Sequence, residues 1–132
     1  MAGCDIDYLE LKSKEIDEKF FEDYLNQRIV NSFLFNFSKI QDKIGAKLFK
    51  KVLYVQKEID SENTNMRDVL NLLEKLEVIE SATDWDRVRE IRNILSHGYP
   101  FSLLERIENI HLAMDGYEII KKIYLNLKSY IS

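Results

Sequence analysis

The chain of 132 residues predicts an all-α fold, an up-and-down bundle of about five helices, on three observations. Only four glycines and one proline punctuate it, too few for the many tight turns of a sheet protein. Its apolar residues recur at three, four and seven positions, which lines side chains along one face of a helix. Residues with capping side chains stand where several of those runs begin. With 45% hydrophobic and 32% charged residues, there is enough apolar material for one core, so a single helical domain spanning 1–132 is expected.

The elements follow in order. From about Asp5 to Gln56 the chain reads as helix almost throughout, with Leu9, Ile16, Phe20 and Tyr24, then Val30, Phe33, Phe37, Ile40, Ile44 and Leu48 on the apolar side. A break is expected at Asn26-Gln27 or at Gly45, dividing the run into two joined or bent helices. Lys39, Lys43, Lys47 and Lys50 make a basic strip beside that apolar face, either a solvated surface or a phosphate-facing one. The polar stretch 60–65 is the clear loop, and Val69, Leu72, Leu73 and Leu76 mark a third helix with an apolar exit at Val78 and Ile79. Ser81 to Asp84 supplies a capping oxygen and an acid for the start of a fourth helix, which runs to Ser96 or His97. Gly98 can close that helix in a left-handed conformation, and Pro100 pushes Tyr99 out of helical geometry. Ser102 with Glu105 then forms a capping box for a fifth helix, seamed by Leu103, Ile107, Ile110, Met114, Tyr117, Tyr124, Leu127 and Ile131.

Composition limits the function. A formal charge of −4 lacks the basic balance of proteins that hold long nucleic acid by neutralising it, so any contact with nucleic acid has to be local. No run approaches the roughly 18 apolar residues of a membrane span, and acids throughout the first thirty residues do not fit a secretory signal. A cytoplasmic protein with no membrane partner is expected. Cys4 is the only cysteine, which excludes a disulfide within the chain and any zinc site needing two thiolates.

Between Glu90 and Pro100 the chain concentrates polar chemistry: Arg92, Asn93, Ser96, His97 and Tyr99 bring a guanidinium, an amide, a hydroxyl, an imidazole and a phenol to one helix end. Arginine offers a planar fork of donors to phosphate oxygens, and an imidazole titrates near neutrality. An ordinary structural account also exists, in which the histidine caps the last carbonyls and the arginine complements the helix dipole. On an ideal helix Arg92 and His97 stand roughly 140° apart, so one regular helix cannot aim both at one small target. Either the last turn is distorted, or two copies of the helix meet about a twofold axis and share a cleft. His111, beside the fifth helix's apolar seam with no polar partner in sequence, reads as structural.

Arg92-Asn93, three further residues, His97, one more and Tyr99 resembles the motif of the HEPN superfamily, in the version of HepT-type toxins with a tyrosine two residues past the histidine. Ser32 to Phe37, Gln41 to Gly45, Lys47 to Phe49, Leu72 to Leu76 and Asp84-Trp85 are also similar to small HEPN proteins encoded beside minimal nucleotidyltransferases. The resemblance implies a HEPN-like twofold homodimer and a metal-independent endoribonuclease in which a ribose 2′-hydroxyl attacks the adjacent phosphate. Catalysis would fall to Arg92, holding the phosphate, and His97, moving a proton, with Asn93 and Ser96 as supporting polar groups. It further implies an RNA substrate, no cofactor, no metal, and a cognate minimal nucleotidyltransferase antitoxin that transfers AMP to Tyr99. The alternative it leaves is a non-catalytic HEPN subunit that binds a substrate or scaffolds the nucleotidyltransferase.

Overall fold

A computed structural model describes residues 2–97 and 102–132, apart from the side chain of Ala46. Among these residues there are six α-helices and no strand: α1 (Ala2–Lys12), α2 (Tyr24–Lys43), α3 (Phe49–Val55), α4 (Met66–Lys75), α5 (Ala82–Leu95) and α6 (Leu103–Ile131). The fold class is all-α, as the spacing predicts, with one helix more than the five expected. The additional helix is α3, set off from α2 by a π-helical segment, and the long run breaks once, between Lys12 and Tyr24 and not at Asn26-Gln27. There Asp17 Oδ1 accepts from the backbone N–H of Lys19 and Phe20, a 3₁₀ turn spans Phe20–Glu22, and Asp23 caps α2 by accepting from the Leu25 N–H. Asn26 and Gln27 donate back to the carbonyls of Phe20 and Phe21, so they fasten the corner from inside α2.

This break changes which residues the N-terminal segment buries. Its register does not continue from α1 into α2, so Leu9 and Tyr24, expected inside, are exposed, and α1 buries Cys4, Tyr8 and Leu11. Asp5 ties α1 to α6, accepting from Tyr117 Oη and Lys121 Nζ at 2.9 Å each, and these bonds hold its carboxyl below the usual range. Burial pushes the Cys4 thiol up to about 12. The native protein is therefore expected to resist a disulfide-forming thiol reagent at pH 8 and to react stoichiometrically once unfolded in urea; rapid labelling of the folded chain would contradict the burial.

Gly45 does not end a helix. The backbone passes from α2 to α3 through a π-helical segment, Ile44–Leu48, with no interruption, and the ring of Trp85 lies against Gly45. A Cβ there would stand 2.8 Å from Trp85 Cζ2, closer than carbon atoms pack. The glycine is needed for that close approach. Two other helix ends close without glycine: Lys57 and Glu77 both take φ of 61°, and the N–H of the following residue bonds to the Leu53 and Leu73 carbonyls, respectively. These stops, with Val78 and Ile79 buried beyond the second, set where α3 and α4 finish.

The remaining starts follow the expected chemistry. Asn65 caps α4, Ser81 accepts from the Thr83 N–H at α5, and Ser102 accepts from the Glu105 N–H at α6. α2 packs on α1, α5 and α6, α5 lies along α6, and α4 covers α5. Phe33, Phe37, Phe49, Trp85, Ile91 and Tyr117 form the centre of the core. Along α6 the seam runs through Ile110, Ala113, Tyr117, Ile120, Ile123 and Leu127; Met114 and Tyr124 sit at its edge, and Ile131 is exposed. His111 is also exposed, on the outer side of α6. No described helix is long and apolar enough to cross a membrane.

Candidate functional site

The site is built where α5 lies against α2. Along α2 and into the π-helical segment that continues it, Phe33, Phe37, Gln41 and Gly45 succeed one another at four-residue steps, which align them as one ridge. The first two enter the core, and the last two reach the wall of a cleft of about 630 Å³. The opposite wall comes from α5, whose Arg89, Arg92, Asn93 and Ser96 follow one another at three, one and three residues. Asp42, Met66 and Trp85 complete the lining.

Arg92 is partly buried and faces Asp42 across the cleft through two bonds, Nε to Oδ1 at 3.4 Å and an Nη atom to Oδ2 at 3.3 Å. Both exceed the roughly 2.7–2.9 Å of a strong charge-assisted bond, and the Asp42 side chain is 57% exposed. Such a pair contributes about 0–1 kcal/mol to stability. It orients the guanidinium without committing it, leaving a phosphate oxygen able to displace the carboxylate. Arg89, one turn earlier on the same face, makes no ion pair among the described residues. The lining thus carries two arginines against one aspartate, a local positive excess within an acidic chain.

The four motif residues within the described part divide between two sides. Arg92, Asn93 and Ser96 line the cleft, and the Ser96 hydroxyl donates to the Asn93 carbonyl at 2.7 Å, closing the helix end from its own side chain. His97 does not line it; the imidazole is exposed beyond the end of α5. The reason is local. The Ser96 N–H is shared between the Arg92 and Asn93 carbonyls, and the His97 N–H bonds to the Ile94 carbonyl at 3.3 Å, so the last turn is wound more tightly than an α-helix. At about 120° per residue over those last two steps, His97 ends roughly 180° from Arg92 about the axis. Of the two routes open to the sequence, distortion of the last turn moves the pair apart. Tyr99, with the expected stop at Gly98 and Pro100, lies outside the described residues.

The basic strip does not join this site. Lys39 and Lys43 border a separate hollow with Gly3, Cys4 and Asn36, and Lys39 stands 4.9 Å from the centre of the Phe35 ring. Sequence reasoning missed Arg89, Asp42 and Gln41 as site residues. A signal was present for two of them: Arg89 shares a face with Arg92, and Gln41 is the polar position in the Phe33-Phe37 ridge. Asp42 had none, since its partner is fifty positions away and only packing brings them together. In comparisons with protein families, with curated proteins and with solved structures, nothing matches this chain.

Proposed function

We propose that this chain is a HEPN-like, metal-independent endoribonuclease, a HepT-like toxin that acts as a twofold dimer and is neutralised by a minimal nucleotidyltransferase through AMP transfer to Tyr99. The observation that carries the reading is the placing of Arg92 in a polar cleft with Arg89, Asn93 and Ser96, held by a carboxylate that a phosphate can replace. In the proposed reaction Arg92 binds the scissile phosphate and stabilises its developing charge. The ribose 2′-hydroxyl loses its proton as it bonds to phosphorus, and the P–O5′ bond breaks to leave a 2′,3′-cyclic phosphate and a 5′-oxygen that takes up a proton, so the step needs proton transfer at both oxygens. His97 supplies that proton transfer. Since His97 stands outside its own chain's cleft, the working site takes the imidazole of a second copy, which the twofold assembly brings to it.

The same separation favours a second reading, a binding subunit in which the cleft holds a nucleotide or phosphate without cutting it. Expression in bacteria decides between them. The unaltered chain is expected to arrest growth, and His97→Ala and Arg92→Ala to restore it, with a 10²-fold or greater fall in RNA cleavage by the purified variants. Equal growth of all three strains would remove the toxin reading. Mixing the two inactive proteins would not restore cleavage if each site needs an arginine and a histidine from one chain only; partial recovery supports the composite site.

A further inference from the structure

The floor of the cleft holds two polar groups that make no hydrogen bond among the described residues. Gln41 is 7% exposed, and its carboxamide, with no hydrogen-bond partner among the described residues, meets the cleft. Trp85 is fully buried, and its indole N–H likewise finds no partner among them. Among the described residues no buried side-chain polar atom is left unsatisfied, so these two groups are met by the solvent of the cleft, and a ligand that displaces that water has to replace its hydrogen bonds. Here both groups line a cavity whose opposite wall is made of Arg89, Arg92 and Asn93. The volume of about 630 Å³ falls within the roughly 300–1,000 Å³ of small-ligand sites.

A ligand suited to this space has an anionic end for the arginines and, opposite it, a rigid edge carrying both donors and acceptors. A carboxamide presents one acceptor and two donors in a plane, which matches the edge of a nucleobase two bonds at a time. The indole N–H adds a donor for a remaining ring nitrogen or carbonyl. An inorganic phosphate would satisfy the arginines and make no use of the floor, and an apolar ligand would match neither.

We propose that the cleft reads the base of one unpaired nucleotide, with Gln41 as the specificity-determining residue and Arg92 and Arg89 holding its phosphate. This deepens the ribonuclease reading and rests on it for the identity of the substrate as RNA: cleavage would then depend on which base sits beside the scissile phosphate. Unpaired RNA is the form in which a base edge is free to enter such a pocket.

Trp85 is the only tryptophan in the chain, so its fluorescence and its single indole N–H resonance report directly on the cleft. Titration of the full chain with 5′-AMP, 5′-GMP, 5′-CMP and 5′-UMP is expected to perturb both signals, with the preferred nucleotide binding at least about fivefold more tightly than ribose 5-phosphate. Gln41→Leu, which loses no hydrogen bond on folding, should keep its melting temperature and bind all four nucleotides as it binds ribose 5-phosphate. Should Gln41→Leu fail to fold, Gln41→Met carries the same comparison. Arg92→Ala should weaken all four alike, by about tenfold or more, without altering their order. Nucleotides that bind no better than ribose 5-phosphate, or a base preference that survives in the folded Gln41 variant, would overturn the proposal. Growth arrest without base preference removes this inference alone; base preference without arrest removes the ribonuclease reading and leaves the pocket standing.

Discussion

Trp85→Ala is expected to lower stability by about 3–5 kcal/mol, the cost of removing a large aromatic ring from a core that cannot close over the gap. The whole margin of a domain this size is about 5–15 kcal/mol, so the variant should sit near its unfolding threshold at physiological temperature. The magnitude follows from where the ring lies. Trp85 is fully buried, stands edge-on to Phe49 with ring centres 4.8 Å apart, and lies against the backbone of Gly45. Its neighbours Phe49 and Gly45 come from α3 and the π-helical segment, and both are themselves held in helix. Urea unfolding followed by circular dichroism measures the effect, since the fluorescent probe is itself removed. A loss below about 1 kcal/mol would mean that the ring is not seated where α5 meets the π-helical segment. Trp85→Phe should recover part of the stability and none of the indole N–H.

Gly116→Ala tests packing where α6 meets α2 and α5. A Cβ on Gly116 would stand 2.8 Å and 2.9 Å from two carbons of the Phe37 ring and 3.2 Å from Ile91 Cδ1. Both neighbours are fully buried, so neither can retreat without disturbing the core. Overpacking of this kind costs about 1–3 kcal/mol. Alanine's advantage over glycine within a helix returns about 1 kcal/mol, leaving a net loss of about 0–2 kcal/mol. Gly3→Ala provides the contrast, because a Cβ there meets nothing within 4 Å, and it should be neutral or mildly stabilising. If both substitutions stabilise, α6 does not approach α2 as closely at Gly116 as the structure has it. Gly116→Val should exceed the alanine loss, since its methyls extend further into the same rings.

Local chemistry made much of the fold legible before any packing was known. Ser81 and Ser102 mark the starts of α5 and α6 because an oxygen one bond from Cβ reaches the free N–H groups of a first turn. Val30, Phe33 and Phe37 mark the buried face of α2 because their spacing matches the helical period. The same rules lost the corner before α2, which is fastened by Asp17, Asn26 and Gln27. They also lost the ends of α3 and α4, where Lys57 and Glu77 adopt the left-handed conformation that a reading of sequence assigns to glycine. In those two stops the backbone bonds and the burial of Val78 behind the second outweigh the preference of the side chain.

The candidate site divides in the same manner. By itself the sequence determined an all-helical chain and a dense set of polar groups at the end of its fifth observed helix, since periodicity, capping and residue type are properties of neighbours along the chain. Only the tertiary structure decided that Arg92, Asn93 and Ser96 turn into a cleft while His97 turns away, and that Asp42 and Gln41 furnish the facing wall. The physical reason is that a helix fixes angles among its own residues, whereas which angle becomes a wall depends on the helix packed against it. α2 reaches α5 through the glycine that admits Trp85, and that contact places a carboxylate and a buried amide opposite two arginines from fifty positions away.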